Sequence, residues 1–363
     1  MVEKNQKIRD QMSKLDLDGL LISDPYNIYY LSGFQGLAPE ERESWILITK
    51  DENYFFTDGR YVNQVKSEKL KVKSLQTKLV TPEKTIQMHV QMIAKKEKLE
   101  KIGFESGNLT YSEYERFKEL VNLVPTDRLI VNIRKYKNQD EIDKIKQACQ
   151  IGDDVLKDAA LIIKPGLTEK NIAQKIIQLI EFHNAEAAFY PIVTSDSGSA
   201  SPHYNTKQSS RKIQKNSVVL IDFGVKYQNY CSDITRIFFI GKQKDEIITV
   251  YQQLLEIQKS TINRLIVLSE AKMIDKFCRE SLEKNGLPNF PHSTGHGIGL
   301  QVHEYPKISS SSCDTLSKNQ VFTIEPGIYF PEKYGLRIED TILMKENQLQ
   351  EVLTKFPKEI HLI

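Results

Sequence analysis

No stretch of the 363 residues approaches the roughly 18 consecutive apolar residues that a membrane-spanning helix requires, so no membrane segment is expected. The first residues, Met1 to Lys7, are charged and lead into no apolar run, which does not read as a signal peptide. Cysteine is scarce: Cys149, Cys231, Cys278 and Cys313 are far apart and form no CxxC. That usage fits reduced thiols in a cytoplasm better than a disulfide framework. Cys231 lies between two acidic phrases and reads as a residue packed into a strand. A concentrated basic run is also missing. Net charge is +2 with acids and bases mixed throughout, and the lysines from Lys95 to Lys101 are interrupted by glutamates. A nucleic-acid partner is therefore not expected. The glycine-rich stretch at residues 295–299 has no Lys-Ser/Thr pair after it, which excludes a phosphate-binding loop. There is no internal repeat and no low-complexity segment.

What is present is an ordinary globular composition, 40% hydrophobic and 27% charged, in a chain long enough for a sizeable core or two domains. The first part alternates short apolar runs with amphipathic stretches. Strands are expected at 19–23, 45–49, 54–57 and 101–105, and helices around 8–15, 85–95 and 111–120. Such alternation argues for a compact α/β domain. A second regime starts near Asn138. Ile142, Ile145, Cys149, Val155, Leu156, Ala159 and Ile162 keep approximate helical spacing, and Lys164-Pro165-Gly166 ends that helix. Thr168 then caps a helix over 169–182, and a further helix pair is expected over 246–265 and 270–284. β-rich segments at 218–223, 234–240, 321–324 and 338–343 intervene. The expected division is an N-terminal α/β domain over 1–130, a linker over 131–140 and a larger domain over 141–363.

Five residues of this second part stand out: Asp222, Asp233, His296, Glu325 and Glu339. Asp222 ends the run Val218-Val219-Leu220-Ile221, and a carboxylate inside an apolar strand is costly unless paired or bound to a metal. Alone, it would read as an Asp starting a turn. Asp233 opens a second apolar run, and two strands joined by a tight turn would bring the two aspartates side by side. A cation between them relieves the repulsion; Arg236 is an alternative neutralising partner. His296 stands in Gly295-His296-Gly297-Ile298-Gly299, where glycines allow close backbone approach. His292, His296 and His303-Glu304 cluster within a dozen residues. Glu325 and Glu339 repeat the Asp222 pattern at the edges of two more apolar runs. Four carboxylates and a glycine-framed imidazole make a di-metal centre the leading reading.

The phrases Pro202-His203-Tyr204, Asp222-Phe223-Gly224, Ser232-Asp233-Ile234-Thr235-Arg236, His296-Gly297-Ile298-Gly299, His303-Glu304, Glu325-Pro326-Gly327-Ile328-Tyr329 and Arg337-Ile338-Glu339-Asp340 occur in this order. In them the chain resembles the pita-bread-fold metallopeptidases, in particular the proline-directed branch of Xaa-Pro aminopeptidases and Xaa-Pro dipeptidases. The resemblance covers essentially the full length and implies an α+β fold: a pita-bread catalytic domain behind a smaller creatinase-type N-terminal α/β domain.

By that resemblance Asp233 and Glu339 bridge two divalent metal ions, Asp222 chelates one, and His296 with Glu325 completes the other. A carboxylate-rich donor set favours Mn²⁺, with Co²⁺ or Zn²⁺ able to substitute. Glu325 is the candidate general base, and His203 and His303 bind substrate and stabilise the tetrahedral intermediate. Arg337 and Thr235 are expected to orient the bridging carboxylates, with a simple ion pair as the alternative for Arg337. The resemblance also implies Xaa-Pro peptides as substrate and a homodimer. The expected activity is that of an Xaa-Pro aminopeptidase, with Xaa-Pro dipeptidase as the close alternative. A non-catalytic peptide-binding pita-bread module is the competing class, disfavoured because all five ligand positions are retained.

Overall fold

A computed structural model of the protein describes residues 2–38, 41–66 and 75–363. The chain divides into two compact units, residues 1–133 and 134–363.

The first unit runs α1 (Val2–Lys14), β1 (Gly19–Ile22), α2 (Pro25–Ser32), β2 (Ser44–Thr49), β3 (Asn53–Thr57), α3 (Val62–Lys66), β4 (Gln76–Leu79), α4 (Ile86–Glu97), β5 (Ile102–Glu105), α5 (Tyr111–Lys118) and β6 (Leu123–Thr126). The helix α6 (Leu129–Arg134) closes it. Its strands form one mixed sheet in the order β4-β3-β2-β1-β5-β6. The core on one side gathers Leu21, Leu47, Tyr54 and Phe56 with Val90 and Ile93 of α4 and Phe117 of α5. The aromatic segment 26–31 is a helix, because Asp24 caps α2 by accepting the Asn27 N–H at 2.9 Å. The edge strand β6 escapes a pattern reading. It is four residues long and contains Pro125, which a sheet tolerates at its edge.

The second unit begins with α7 (Gln139–Ile162) and α8 (Glu169–Phe182), followed by β7 (Glu186–Ala187), β8 (Ile192–Ser195), β9 (Val218–Phe223), β10 (Val225–Tyr227), β11 (Tyr230–Cys231) and β12 (Ile234–Phe239). After α9 (Asp245–Arg264) and α10 (Ala271–Lys284) come β13 (Gly295–Gly297), β14 (Glu304–Ile308), β15 (Val321–Ile324), β16 (Gly327–Phe330), β17 (Tyr334–Arg337), β18 (Asp340–Met344), β19 (Gln350–Val352) and β20 (His361–Leu362). The main sheets are β20-β12-β9-β8 and β14-β13-β15-β18-β19. Alternation along β9 divides its side chains between two cores. Val219, Ile221 and Phe223 pack with α7 and α8, whereas Val218 and Leu220 pack with α9 and α10. Thr168 caps α8 as expected, accepting the Asn171 N–H at 3.0 Å.

The boundary between the units, after residue 133, falls inside the stretch expected as a linker, and from Arg134 onward that stretch is built into the second unit. The Lys137 N–H donates to the Asn319 carbonyl at 2.8 Å, and Asn138 caps α7 in a capping box with Glu141. One expectation needs correction: β9 and β12 are not joined by a simple hairpin. The chain leaves their sheet at Gly224, forms the β10–β11 ribbon beside β7, and returns at Asp233. Gln228 and Asn229, both at positive φ, make the tight turn of that ribbon. Asp222 therefore faces Thr235 across the ladder rather than Asp233.

Candidate metal centre

Asp222, Asp233, His296, Glu325 and Glu339 all line one cleft of about 570 Å³ in the second unit. Strand pairing explains their convergence. Asp222 and Thr235 are directly opposite in β9 and β12, and a further bridge pairs Thr235 with Glu339. The second sheet supplies His296 from β13, and Glu325 from the residue after β15, whose N–H donates to the Thr294 carbonyl at 2.8 Å. A Cβ on Gly295 would lie 1.9 Å from the Thr323 carbonyl oxygen, so only glycine lets β13 come this close to β15.

Ligand-capable atoms of Asp233, His296 and Glu339 all lie within 4.8 Å of one another. The His296 Nδ1 is 3.1 Å from the Gly297 carbonyl, which can only accept, so Nδ1 carries a proton. This turns Nε2 toward Glu325 Oε1 at 3.2 Å and Asp233 Oδ2 at 3.7 Å. A ring tied to a backbone carbonyl through one nitrogen and facing carboxylates with the other is oriented as metal-ligating histidines are.

The electrostatics are those of a site short of positive charge. Burial pushes Asp233 and Glu339 well above the usual carboxylate range, and the neighbouring carboxylates push them further in the same direction. Burial would lower His296, yet the Glu325 hydrogen bond and charge raise it to about 9. Burial would raise Glu325, yet His296 holds it at about 2. Asp233 Oδ1 and Glu339 Oε1 are buried with no hydrogen-bond partner among the described residues. Orphaned carboxylate oxygens beside an oriented imidazole fit divalent cations, which would supply the missing charge and the missing contacts.

The residues around the cluster differ in part from expectation. Thr235 donates to Glu339 Oε2 at 2.6 Å, as an orienting group should. Arg337 makes the ion pair that was its alternative reading, with no hydrogen bond to the Asp233 or Glu339 carboxylates among the described residues. It pairs with Asp222 and donates to Thr235 Oγ1 at 3.2 Å. Arg236 is not a neutralising partner of the two aspartates either, because its guanidinium bonds Asp340 at 2.7 Å. His203 and His303 both line the cleft, and the His303 ring centroid is 4.3 Å from that of His296.

Three polar residues in or beside the cleft, His292, Tyr329 and Lys307, had no role assigned from the sequence. His292 Nδ1 donates to the Ser293 carbonyl at 2.8 Å, so its Nε2 accepts from the Tyr329 hydroxyl at 2.9 Å. Tyr329 in turn receives Arg337 at 3.0 Å, which links His292 through two side chains to Asp222. The histidine cluster was the visible signal for His292. The third is Lys307, which pairs with His296 in the β13–β14 ladder and has no sequence signal of its own.

Comparison with known proteins agrees with this geometry. The metallopeptidase family M24 matches residues 143–346, and the creatinase/prolidase N-terminal domain matches residues 4–136. The Xaa-Pro dipeptidase of Pyrococcus furiosus is 34% identical over 365 residues, covering 99% of this chain and 100% of that protein. The structure of an Xaa-Pro dipeptidase from Bacillus anthracis superposes with a TM-score of 0.92 at 32% identity, covering 100% of this chain and 99% of that one. An X-Pro aminopeptidase from Thermotoga maritima gives 0.84, also at 32% identity, over 98% and 100%. The chain thus belongs to metallopeptidase family M24, a pita-bread enzyme with a creatinase/prolidase-type N-terminal domain.

Proposed function

We propose that the protein is a divalent-metal-dependent Xaa-Pro dipeptidase. Lys307 carries this choice over the aminopeptidase that the sequence favoured. It lies directly across the β13–β14 ladder from His296, and directly opposed residues project to the same side of a sheet. The residue lines the cleft, and its ammonium has no side-chain partner among the described residues. A free cation beside the hydrolytic cluster matches the carboxylate of a C-terminal proline, one residue beyond the scissile bond. In a longer peptide that carboxylate is replaced by a neutral amide. The dipeptidases of Pyrococcus furiosus and Bacillus anthracis support the same choice.

Asp222, Asp233, His296, Glu325 and Glu339 would hold two divalent ions, with Mn²⁺ the first choice for so carboxylate-rich a set. When bound, such ions supply Lewis acidity and a water acidic enough to attack near neutrality. Glu325 takes up the proton of the attacking water at its carboxylate and returns it to the proline nitrogen as the bond breaks. Its acceptance of the Thr323 hydroxyl at 3.0 Å fixes the carboxylate plane for that transfer. Burial lowers the His303 pKa, so the ring is neutral and donates a hydrogen bond to the developing oxyanion. His203, which also lines the cleft, is placed to bind the substrate.

The test is a panel of Xaa-Pro dipeptides and Xaa-Pro-Xaa tripeptides with protein loaded with Mn²⁺, Co²⁺ or Zn²⁺. The dipeptides are expected to be cleaved with the higher kcat/KM. Tripeptides cleaved equally well would return the assignment to an aminopeptidase, and no turnover with any metal would overturn both.

A further inference from the structure

Arg134, Lys137 and Glu304 form a buried ionic triad immediately beside His303. Arg134 is 4% exposed and Lys137 3%. Arg134 pairs with Glu304 Oε1 and also reaches Gln301 Oε1 at 3.2 Å, while Lys137 Nζ lies 3.3 Å from Glu304 Oε2. The Gln301 N–H donates to the same carboxylate at 3.1 Å. The loop is pressed against it as well, since a Cβ on Gly299 would come within 2.6 Å of Glu304 Oε2. Burial alone would raise the Glu304 pKa, but Arg134 and Lys137 hold the carboxyl below its usual range.

Two buried cations on one buried carboxylate are a poor source of stability. Desolvation commonly cancels the attraction, and apolar residues of similar volume would serve as well. What the triad does secure is geometry. Glu304 begins β14 with its carboxylate held by Arg134, Lys137 and the Gln301 N–H, and His303, the residue before it, lines the cleft. Among the described residues the His303 ring makes no side-chain hydrogen bond, and its aromatic neighbour is the His296 ring. The direction of that ring therefore depends on the backbone at 303–304, which the Glu304 carboxylate pins.

We propose that Arg134 and Lys137 are positioning residues for the hydrolysis. By clamping Glu304 they hold the backbone that presents His303 to the substrate carbonyl. The proposal rests on the Xaa-Pro hydrolase reading for its catalytic consequence, and on the triad alone for its structural one.

Two readouts test it. In a double-mutant cycle, Arg134→Met and His303→Ala each lower kcat roughly tenfold or more. Their combination is expected to fall within about twofold of His303→Ala alone, because both remove the same interaction. Losses that multiply would overturn the clamp. Lys137→Met, which leaves one cation on Glu304, carries the same cycle if Arg134→Met fails to fold. The second readout needs no substrate: amide hydrogen exchange over residues 299–304 is expected to speed up in Arg134→Met or Lys137→Met. Unchanged exchange would overturn the proposal even in a protein inactive toward every Xaa-Pro peptide, whereas inactivity of the wild type would remove only the reading of the reaction.

Discussion

Arg236 and Asp340 pair at 2.7 Å on the opposite side of their strands from Thr235 and Glu339, which meet at 2.6 Å in the metal centre. Each strand alternates, so a residue that serves the site is followed by one that serves the interior beneath it. Asp340 is fully buried and also accepts from Gln258 and Thr354, each at 2.8 Å, and from Lys358. This network ties α9 and the C-terminal segment to β18, the strand that follows Glu339.

Asp340→Asn is expected to destabilise the protein by about 3–5 kcal/mol, because Arg236 and Lys358 would keep buried charges with no carboxylate to meet them. Denaturant unfolding of the variant against wild type measures this. A loss under about 1 kcal/mol would mean that the pair behaves like an exposed one.

Chelation is expected to abolish activity and lower the Tm together. Ions that bind only the folded chain stabilise it by about 2.7 kcal/mol at a concentration one hundred times Kd. Asp233→Asn should lose the ions and the chelator-sensitive part of the Tm in parallel, since Asp233 Oδ1 is one of the two orphaned oxygens. A Tm indifferent to chelator in the wild type would show that the cluster holds no stabilising ion.

The acidic and histidine residues of the cleft were legible in the sequence because a carboxylate inside an apolar strand is costly and has few explanations. Their partners were not, because partnership depends on register between distant strands. Arg236 and Arg337 are equally plain in the sequence, yet one braces Asp340 and the other holds Asp222. Which of them faces the metal centre follows from a pleat that only pairing reveals. The long helices followed from periodicity and caps, with Asn138 and Thr168 both capping as side-chain chemistry dictates. The β10–β11 ribbon stayed hidden, since Gly224 and Asp233 lie within one continuous stretch that reads as a hairpin.

Glu325→Gln is expected to lower kcat by about a hundredfold or more while KM changes little, as loss of a general base should. Metal content measured on the same sample separates the base from the ligand role. Full turnover with a full complement of metal would take the proton-transfer role away from Glu325.

On the dipeptidase reading Lys307 meets the substrate carboxylate, so its substitution separates the two candidate specificities. A charge-assisted hydrogen bond to a carboxylate contributes roughly 1.5–3 kcal/mol, so Lys307→Ala should raise KM for Xaa-Pro dipeptides about ten- to a hundredfold. The same variant should treat tripeptides as the wild type does, because their proline carbonyl carries no charge for Lys307 to meet. Lys307→Arg keeps the charge and should retain most of the dipeptide preference. Lys307→Glu would place a negative charge across the ladder from His296 and repel the substrate carboxylate, reversing the preference toward tripeptides. Equal effects of Lys307→Ala on both peptide lengths would mean that the side chain acts on the cleft as a whole, and the carboxylate contact would have to be sought elsewhere.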